Sequence, residues 1–262
     1  MTSDDDVLRA YDAQMREDPP AEFGQRIERS TAVVRTCGRC NTILHARIDT
    51  KDFARIVDEQ VAHFLLIGED VEWKVFAHDA PSSLEASLVA RGFEPDEPET
   101  LMVYNLGTSD DLANDVADFH CRRVTNRADI DAYVAVTERA FGKTSPRSAE
   151  DLASRLLRDE TESIGYLVIC ADRAVGAGRL DLPNARSFAS IWSGGTDPAF
   201  RRRGLYRALV LLRARVARER GYRYLTVDAR ETSRPILERL GFRALTTVVA
   251  WNLRVDAATR RR

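Results

Sequence analysis

The amino-acid sequence predicts an α/β protein with a mixed sheet, built from two similar domains in tandem. Three observations lead to this prediction. Short apolar runs of strand length alternate with segments of helical periodicity. Two passages, one in each half, repeat the same order of elements. The chain has 262 residues, 44% hydrophobic and 31% charged, which suits a globular protein of one large or two smaller domains.

The repeat is clearest between residues 72–106 and residues 222–253. Each passage contains a short strand, an aspartate, a helix start marked by serine and proline, a leucine-rich helix, a Gly-Phe pair and a strand that ends in Asn-Leu. We interpret this agreement as a distant internal repeat. Upstream, each half has a predicted strand followed by an amphipathic helix: 41–48 and 50–68 in the first half, 187–194 and 204–221 in the second.

The second half contains further elements before its copy of the repeat. Asp172-Arg173 is predicted to form a tight turn between two of its strands. Residues 107–115 are polar and rich in turn formers, which favours a linker. We therefore predict one domain at 1–107 and another at 117–255. The periodicity predicts strands at 118–124, 165–172 and 174–182 and helices at 128–142 and 148–159.

Composition argues against several classes of function. The net charge of −2 is unlike the basic excess typical of nucleic-acid-binding proteins. No apolar run reaches the roughly 18 residues of a membrane span, and the acidic start MTSDDDVLRA is unlike a signal peptide. Cys37 and Cys40 form a lone C-x-x-C that we interpret as a hairpin turn around Gly38. We expect a cytoplasmic protein without a metal site or a membrane partner.

The segment TDPAFRRRGLYRAL, residues 196–209, joins a predicted strand to a helix. The amides of a first helical turn have no partner within the helix and attract anions, phosphate above all. Gly204 allows a ligand close to the backbone, and neighbouring arginines supply bidentate donors for phosphate oxygens. Asp197 can cap the turn. The corresponding junction in the first half, DTKD at 49–52, has neither glycine nor arginine.

In the predicted helix that follows, the apolar residues recur at helical spacing. This spacing predicts one buried face, formed by Leu205, Leu209, Leu212 and Val216.

Two common phosphate-loop templates do not fit this segment. A Walker loop requires a Gly-Lys pair, and a dinucleotide fingerprint requires three glycines, whereas Gly204 stands alone at the helix entry. Residues 117–255 instead resemble the GNAT superfamily of acyl-CoA-dependent N-acetyltransferases. Arg201 to Tyr206 follow that family's signature of Arg or Gln, two residues, Gly, one residue, and Gly or Ala. The lead-in 196–198 and the Leu-Gly-Phe at 240–242 resemble further family features.

The resemblance implies that acetyl-CoA is the acyl donor, and the spacing of the cysteines and histidines predicts no metal site. Backbone amides of the loop would bind its pyrophosphate, and the end of the preceding strand would pair with its pantetheine arm. An amine would then attack the acetyl carbonyl directly, and the thiolate of CoA would leave. The residues implied in acetyl-CoA binding are Gly194, Gly195, Thr196, Arg201, Arg202, Arg203, Gly204, Leu205, Tyr206 and Arg207.

Two positions depart from the family pattern. Tyr206 stands where the family has a small residue, so its side chain must point away from the phosphates. Leu237 stands where many members have a tyrosine that protonates the leaving thiolate. Ser233 is our candidate replacement for that general acid, and its alternative role is to cap the helix. The candidate general bases are Asp181, Asp228 and Glu231, although each also suits a solvated or capping role, and water could serve instead.

The first half resembles a degenerate GNAT domain that would pack against its partner or line the acceptor cleft without binding CoA. Its aromatic residues Trp73, Phe76 and Phe93 are expected in the core. The acceptor is a small-molecule or peptide amine that the sequence does not specify, and the oligomeric state stays open. One alternative function is non-catalytic acyl-CoA binding. The other is nucleic-acid binding through Arg207, Arg213, Arg215, Arg218 and Arg220.

Overall fold

The structure is a computed structural model. The predicted linker at 108–115 and most of the first-half junction, 49–51, lie outside the residues that it describes. The described residues are 2–21, 24–38, 40–47, 52–79, 83–107, 120–142, 148–158 and 162–255.

Helices and strands alternate along the described chain. The helices are α1 (Asp4–Tyr11), α2 (Phe53–Ile67), α3 (Leu84–Val89), α4 (Arg127–Phe141), α5 (Ser148–Leu156), α6 (Leu205–Glu219) and α7 (Arg234–Arg239). The strands are β1 (Gln25–Arg29), β2 (Val33–Gly38), β3 (Thr42–Ala46), β4 (Val71–Phe76), β5 (Glu94–Pro95), β6 (Glu99–Asn105), β7 (His120–Arg123), β8 (Ser163–Cys170), β9 (Arg173–Asp181), β10 (Phe188–Thr196), β11 (Tyr224–Ala229) and β12 (Arg243–Leu253).

The chain divides into two compact units. The first comprises Met1–Met102, Asp228–Arg234 and Ala244–Arg262. Its strands follow the order β1-β2-β3-β4-β12, with β5 paired to β12. β3 and β4 are parallel, and β4 and β12 are antiparallel. The expected core residues are confirmed, since Trp73, Phe76 and Phe93 are all buried.

The second unit comprises Val103–Val227 and Pro235–Arg243. Its strands follow the order β11-β10-β9-β8-β7. Strands β7 to β10 pair antiparallel, whereas β10 and β11 are parallel. Helices α4 and α6 both pack against β9 and β10. The boundaries 1–107 and 117–255 stay predictions, because the two units are defined by spatial contacts alone.

Both halves contain a parallel strand pair joined by a 15-residue helix, β3-α2-β4 and β10-α6-β11. In each, a short helix then leads to a Gly-Phe pair whose glycine has a left-handed backbone, with φ +82° at Gly92 and +91° at Gly241. The mixed α/β fold class is confirmed by these parallel and antiparallel ladders.

The Cys37–Cys40 segment connects the antiparallel strands β2 and β3, which confirms the predicted hairpin.

Two local predictions were wrong by one residue. The turn between β8 and β9 is formed by Ala171 and Asp172, with φ +47° and +61°, because a two-residue hairpin turn of this type needs positive φ at both central positions. On α6, Arg213 and Ala217 occupy the buried positions that the apolar spacing assigned to Leu212 and Val216, which are half-buried. The helix therefore presents a slightly rotated face to the sheet.

The sequence reasoning missed the first helix, although Ser3 and Asp6 form a capping box at its start. A π-helical turn, Asp12–Glu17, continues α1 and contains the buried Arg16. The guanidinium of Arg16 donates to both carboxylate oxygens of Asp79, at 2.7 and 2.8 Å, and to Asp12 at 2.8 Å. It also lies 3.8 Å from the ring centroid of Phe76. These contacts hold the N-terminal segment within the first unit.

Replacing Arg16 with Met should lower the free energy of unfolding by about 3–5 kcal/mol, because it leaves the carboxylates of Asp79 and Asp12 largely buried without a cation. Urea denaturation measures the change. The matched control is Arg9→Met, which removes an exposed ion pair with Asp6 and should cost less than about 1 kcal/mol. Equal effects of the two substitutions would contradict the structural role of Arg16.

Candidate active site

The candidate site lies where β10 and β11 stop pairing. The parallel strands share three register pairs, from Phe188 with Tyr224 to Ser190 with Thr226. Beyond these pairs both strands continue, without a further pair between them among the described residues. The continuing edge of β10 therefore presents backbone groups to a ligand that can pair like a strand.

A β-bulge interrupts β10 just beyond this point. The register shifts between Trp192 and Gly195, so that Ser193 and Gly194 both lie opposite the single residue Gly178 of β9. Ser193 has φ +50°, a left-handed conformation that is uncommon for a residue with a side chain. A bulge of this kind bends the strand and re-aims the residues that follow it.

The two glycines after Ser193 allow helices to approach both faces of the sheet. A Cβ on Gly194 would lie 2.9 Å from the ring of Tyr206 on α6. A Cβ on Gly195 would lie 2.9 Å from Ala140 and 3.0 Å from the ring of Phe141, both on α4. The bulky Tyr206 is therefore accommodated by the missing side chain of Gly194, and its ring lies against β10.

A buried aspartate fixes the turn between β10 and α6. The carboxylate of Asp197 accepts hydrogen bonds from the backbone amide of Ala199 at 3.1 Å, from Arg139 at 2.7 Å and from Arg173 at 2.8 Å. Burial alone would raise the pKa of Asp197, but the amide and the two guanidinium groups outweigh it and hold the pKa below its ordinary value. The predicted capping role of Asp197 is confirmed.

Helix α6 begins after a loop with two left-handed residues. Arg202 has φ +63° and Gly204 has φ +80°. Gly204 is the N-cap and offers no side chain to the amides of the first turn. Left-handed residues near a helix start turn backbone amides toward one point, which creates a concave anion site. Leu205, the first helical residue, is buried and anchors this helix end in the core.

Two of the predicted arginines already make contacts in this structure. Arg201 donates to the carbonyl oxygens of Thr196 at 3.4 Å and of Ala140 at 3.1 Å. The guanidinium carbon of Arg203 lies 5.0 Å from the ring centroid of Phe200. Arg201 therefore ties the loop to the end of α4. All four predicted arginines of this segment, Arg201, Arg202, Arg203 and Arg207, are exposed.

The fold thus gathers the predicted acetyl-CoA-binding residues at one strand end and one helix start. Ser233, the candidate general acid, belongs to the first unit rather than to the unit that contains the loop. Its hydroxyl donates to the carbonyl oxygen of Arg230 at 3.0 Å, immediately before α7. Leu237, at the position of the family's tyrosine, is fully buried.

The three candidate bases differ in their surroundings. Asp181 accepts from Arg179 at 2.9 Å, and Asp228 accepts from Lys74 at 2.7 Å. Both carboxylates are therefore engaged with a cation. Glu231 is exposed.

Glu99 is a carboxylate that the sequence reasoning did not select. It lies half-buried at the start of β6, and burial together with the charge of Asp228 raises its pKa. Arg230 contacts it at 3.4 Å and weakens this effect. A raised pKa brings a carboxyl closer to the range useful for accepting a proton near neutral pH. Nothing in the local sequence marks Glu99, because its neighbours come from distant parts of the chain.

Replacing Asp197 with Asn should lower the free energy of unfolding near neutral pH by about 1–3 kcal/mol, the cost of lost charge-assisted hydrogen bonds. A carboxyl whose folded pKa is depressed stabilises the fold above its unfolded pKa, and this contribution disappears as the pH falls through the folded value. The difference between wild type and D197N should therefore shrink once the pH falls below 3.8.

Denaturant unfolding across this pH range measures the difference. Asp131→Asn, which alters an exposed carboxylate on α4, is the matched control and should show a much smaller difference at every pH. A D197N difference that stays constant into the acid range would contradict the assignment.

Within the described residues, no helix is long and apolar enough to cross a membrane, and no three His, Cys, Asp or Glu side chains are grouped to hold a metal ion. No curated protein matches the chain significantly.

Several solved structures share the fold. A GCN5-related N-acetyltransferase from Kribbella flavida is similar with a TM-score of 0.66 and 16% identity, over 95% of this chain and 93% of that chain. A GCN5-related N-acetyltransferase from Sphaerobacter thermophilus gives a TM-score of 0.59 and 14% identity, over 97% and 86%. A tandem GNAT protein from the clavulanic acid biosynthesis pathway gives 0.56 and 12%, over 90% and 85%. These likenesses show the GNAT fold.

A family model matches most of the second half of the sequence. Residues 130–242 match the model of the acetyltransferase (GNAT) family, and this range contains β10, the loop and α6. The resemblance predicted from the sequence is therefore confirmed. Residues 130–242 are therefore a domain of the GNAT acetyltransferase type, a family that transfers acyl groups from acyl-CoA.

Proposed function

We propose that this protein is an N-acetyltransferase that moves the acetyl group of acetyl-CoA to the nitrogen of a small-molecule or peptide amine. The observation that carries the proposal is the start of α6 at Gly204, an uncapped helix end beside the free edge of β10. The amine attacks the thioester carbonyl, the C–S bond breaks, and the proton lost by the amine balances the one gained by the CoA thiolate. The protein's main contribution is to hold the two reactants in place.

The residues around this helix end suit acetyl-CoA. The turn around Arg202 and Gly204 presents amides and a helix dipole to the pyrophosphate. Arg202 and Arg207 are exposed and can reach phosphate oxygens. The edge of β10 at Gly194, Gly195 and Thr196 would pair with the amides of the pantetheine arm. No metal has a part in this proposal.

The reaction needs two proton transfers, one from the amine and one to the thiolate of CoA. Ser233 would protonate the leaving thiolate directly or through water, in place of the tyrosine that Leu237 replaces. Its contact with the Arg230 carbonyl supports an alternative role in shaping the turn before α7. The base candidates remain Asp181, Asp228, Glu231 and water.

The first half would be a degenerate copy of the same domain. Its parallel strands β3 and β4 and the helix between them match the arrangement of β10, α6 and β11, which supports a tandem origin. The copy would pack or line the acceptor site without binding CoA. The proposal includes a cytoplasmic location, in keeping with four cysteines that are free in the structure.

A second candidate function is acyl-CoA binding without catalysis. The buried Leu237 and the engaged hydroxyl of Ser233 favour it, since both remove a ready general acid. Release of CoA thiol with a panel of amines would distinguish an enzyme from a binding protein. We assign no nucleic-acid partner, because Arg213, central to the predicted arginine surface of α6, is buried.

Replacing Gly204 with Glu should abolish acetyl-CoA binding, because it places a side chain and a negative charge where the pyrophosphate would lie. Calorimetric titration with acetyl-CoA measures the loss, and thermal unfolding checks that the fold persists. Arg215→Glu introduces the same charge on the third turn of α6 and should leave binding nearly unchanged. Unchanged affinity of G204E would overturn the assignment of the loop.

Replacing Ser233 with Ala should lower kcat by about 100-fold, the lower range for loss of a general acid, without weakening acetyl-CoA binding. Ser233→Thr keeps a hydroxyl and should restore most of the activity. Steady-state kinetics and calorimetry measure the two quantities. If S233A keeps the wild-type kcat, Ser233 acts only in the turn before α7.

A further inference from the structure

Arg213 is a buried cation at a position of α6 where helical spacing calls for an apolar residue. It follows Leu205 and Leu209 at intervals of four residues on the face turned to the sheet, and only 1% of its surface is exposed. Among the described residues, none of its contacts is with a carboxylate. Burial without an anionic partner lowers the pKa of its guanidinium.

The guanidinium binds the backbone at the bulge of β10. Its Nη1 donates to the carbonyl oxygen of Arg179 on β9 at 3.0 Å and to that of Trp192 on β10 at 3.4 Å. These two residues form the last register pair before the shift. Its Nε donates to the carbonyl oxygen of Leu209 at 3.0 Å, which holds the side chain against its own helix.

Two glycines provide the space for this side chain. A Cβ on Gly178 would lie 2.8 Å from Nη1 of Arg213, and a Cβ on Gly194 would lie 3.3 Å from its Nη2. Gly178 and Gly194 are the residues that face each other across the bulge. The two glycines, the bulge and the guanidinium of Arg213 therefore lie at the same position of the sheet.

This arrangement is costly for stability. A buried charge without a counter-charge loses hydration that its hydrogen bonds only partly replace. Nη2 is buried without any hydrogen-bond partner among the described residues. An apolar side chain of similar length would fill the same space at lower cost. An arginine at this position therefore points to a role other than stabilising the fold.

The role follows from what a bulge does to the register of a strand. Loss of the extra residue would shift every later residue of β10 to the opposite face of the sheet. Gly194 and Gly195 would then meet the wrong helices, and Asp197 would leave Arg139 and Arg173. The loop before α6 would lose its support at the same time.

We propose that Arg213 is a positioning residue for acyl-CoA: by binding the carbonyls of Trp192 and Arg179 it fixes the bulge, and with it the edge of β10 and the loop that the ligand contacts. The inference rests on the proposed function for the identity of the ligand. Arg213 acts through the backbone and does not touch the reacting atoms.

The test compares Arg213→Met and Arg213→Lys with Arg215→Met, an arginine on the same helix whose side chain is 41% exposed. R213M should weaken acetyl-CoA binding by about tenfold or more while its stability stays equal to or above that of wild type. R213K retains the charge and one donor group and should recover part of the affinity. R215M should match wild type. In steady-state kinetics, R213M should raise KM for acetyl-CoA far more than it lowers kcat.

A second variant tests the same contact from the strand. Gly178→Ala places a methyl group against Nη1 of Arg213, so it should weaken acetyl-CoA binding in the wild-type background. Combined with R213M, whose side chain is flexible and uncharged, the same substitution should add less, and its remaining effect should come from the contact of the new methyl group with Leu209 at 2.9 Å. Independent, additive effects of the two substitutions would contradict a direct coupling.

Three outcomes would separate the ideas. If R213M binds acetyl-CoA as tightly as wild type, or loses affinity only in proportion to lost stability, the positioning role is wrong. If wild type binds no acetyl-CoA, the proposed function fails instead. Hydrogen exchange at the amides of 192–197 then tests, without any ligand, whether Arg213 stabilises the bulge. Faster exchange in R213M supports the role of Arg213, and unchanged exchange overturns it.

Discussion

The candidate site depends on how two parallel strands separate next to the start of the helix that connects them. β10 and β11 pair for three residues and then stop, and α6 must begin close to the end of β10. The unpaired strand edge and the unpaired helix amides therefore arise at the same place. Both are hydrogen-bonding groups that need partners. A ligand with a phosphate at one end and amides along its length satisfies both sets of groups.

Close packing supports this region on both faces of the sheet, where β10 no longer pairs with β11. The side chain missing at Gly194 admits the ring of Tyr206, and the one missing at Gly195 admits the end of α4. Asp197 then joins α4, β9 and the turn through its two arginines and one amide. Because each contact comes from a different element, the loop is held from several directions. Such support from fixed neighbours is what a binding site needs to keep its geometry.

The sequence predicted those parts of the site that depend on local chemistry. Gly204 at a helix start and Asp197 as a cap follow from backbone conformation and short-range hydrogen bonds. Arg213 did not follow, because its partners are carbonyls on two other strands and its space comes from glycines far away in sequence. The first helix was missed although its capping box is local, since its Leu8 and Tyr11 pack against Phe76, Leu101 and Val248, which are distant in sequence. Tertiary contacts decided both cases.

The two halves differ in the charge of the residue that precedes the corresponding helix. Helix α6 begins after Gly204, which has no charge and a left-handed backbone, whereas α2 begins after Asp52 in a right-handed conformation. A carboxylate at a helix N-terminus interacts favourably with the dipole and takes the place that a phosphate would need. Asp52 makes no side-chain hydrogen bond to the first turn of α2, but its negative charge would oppose an anionic ligand there. This difference in charge supports the proposal that the first half does not bind CoA.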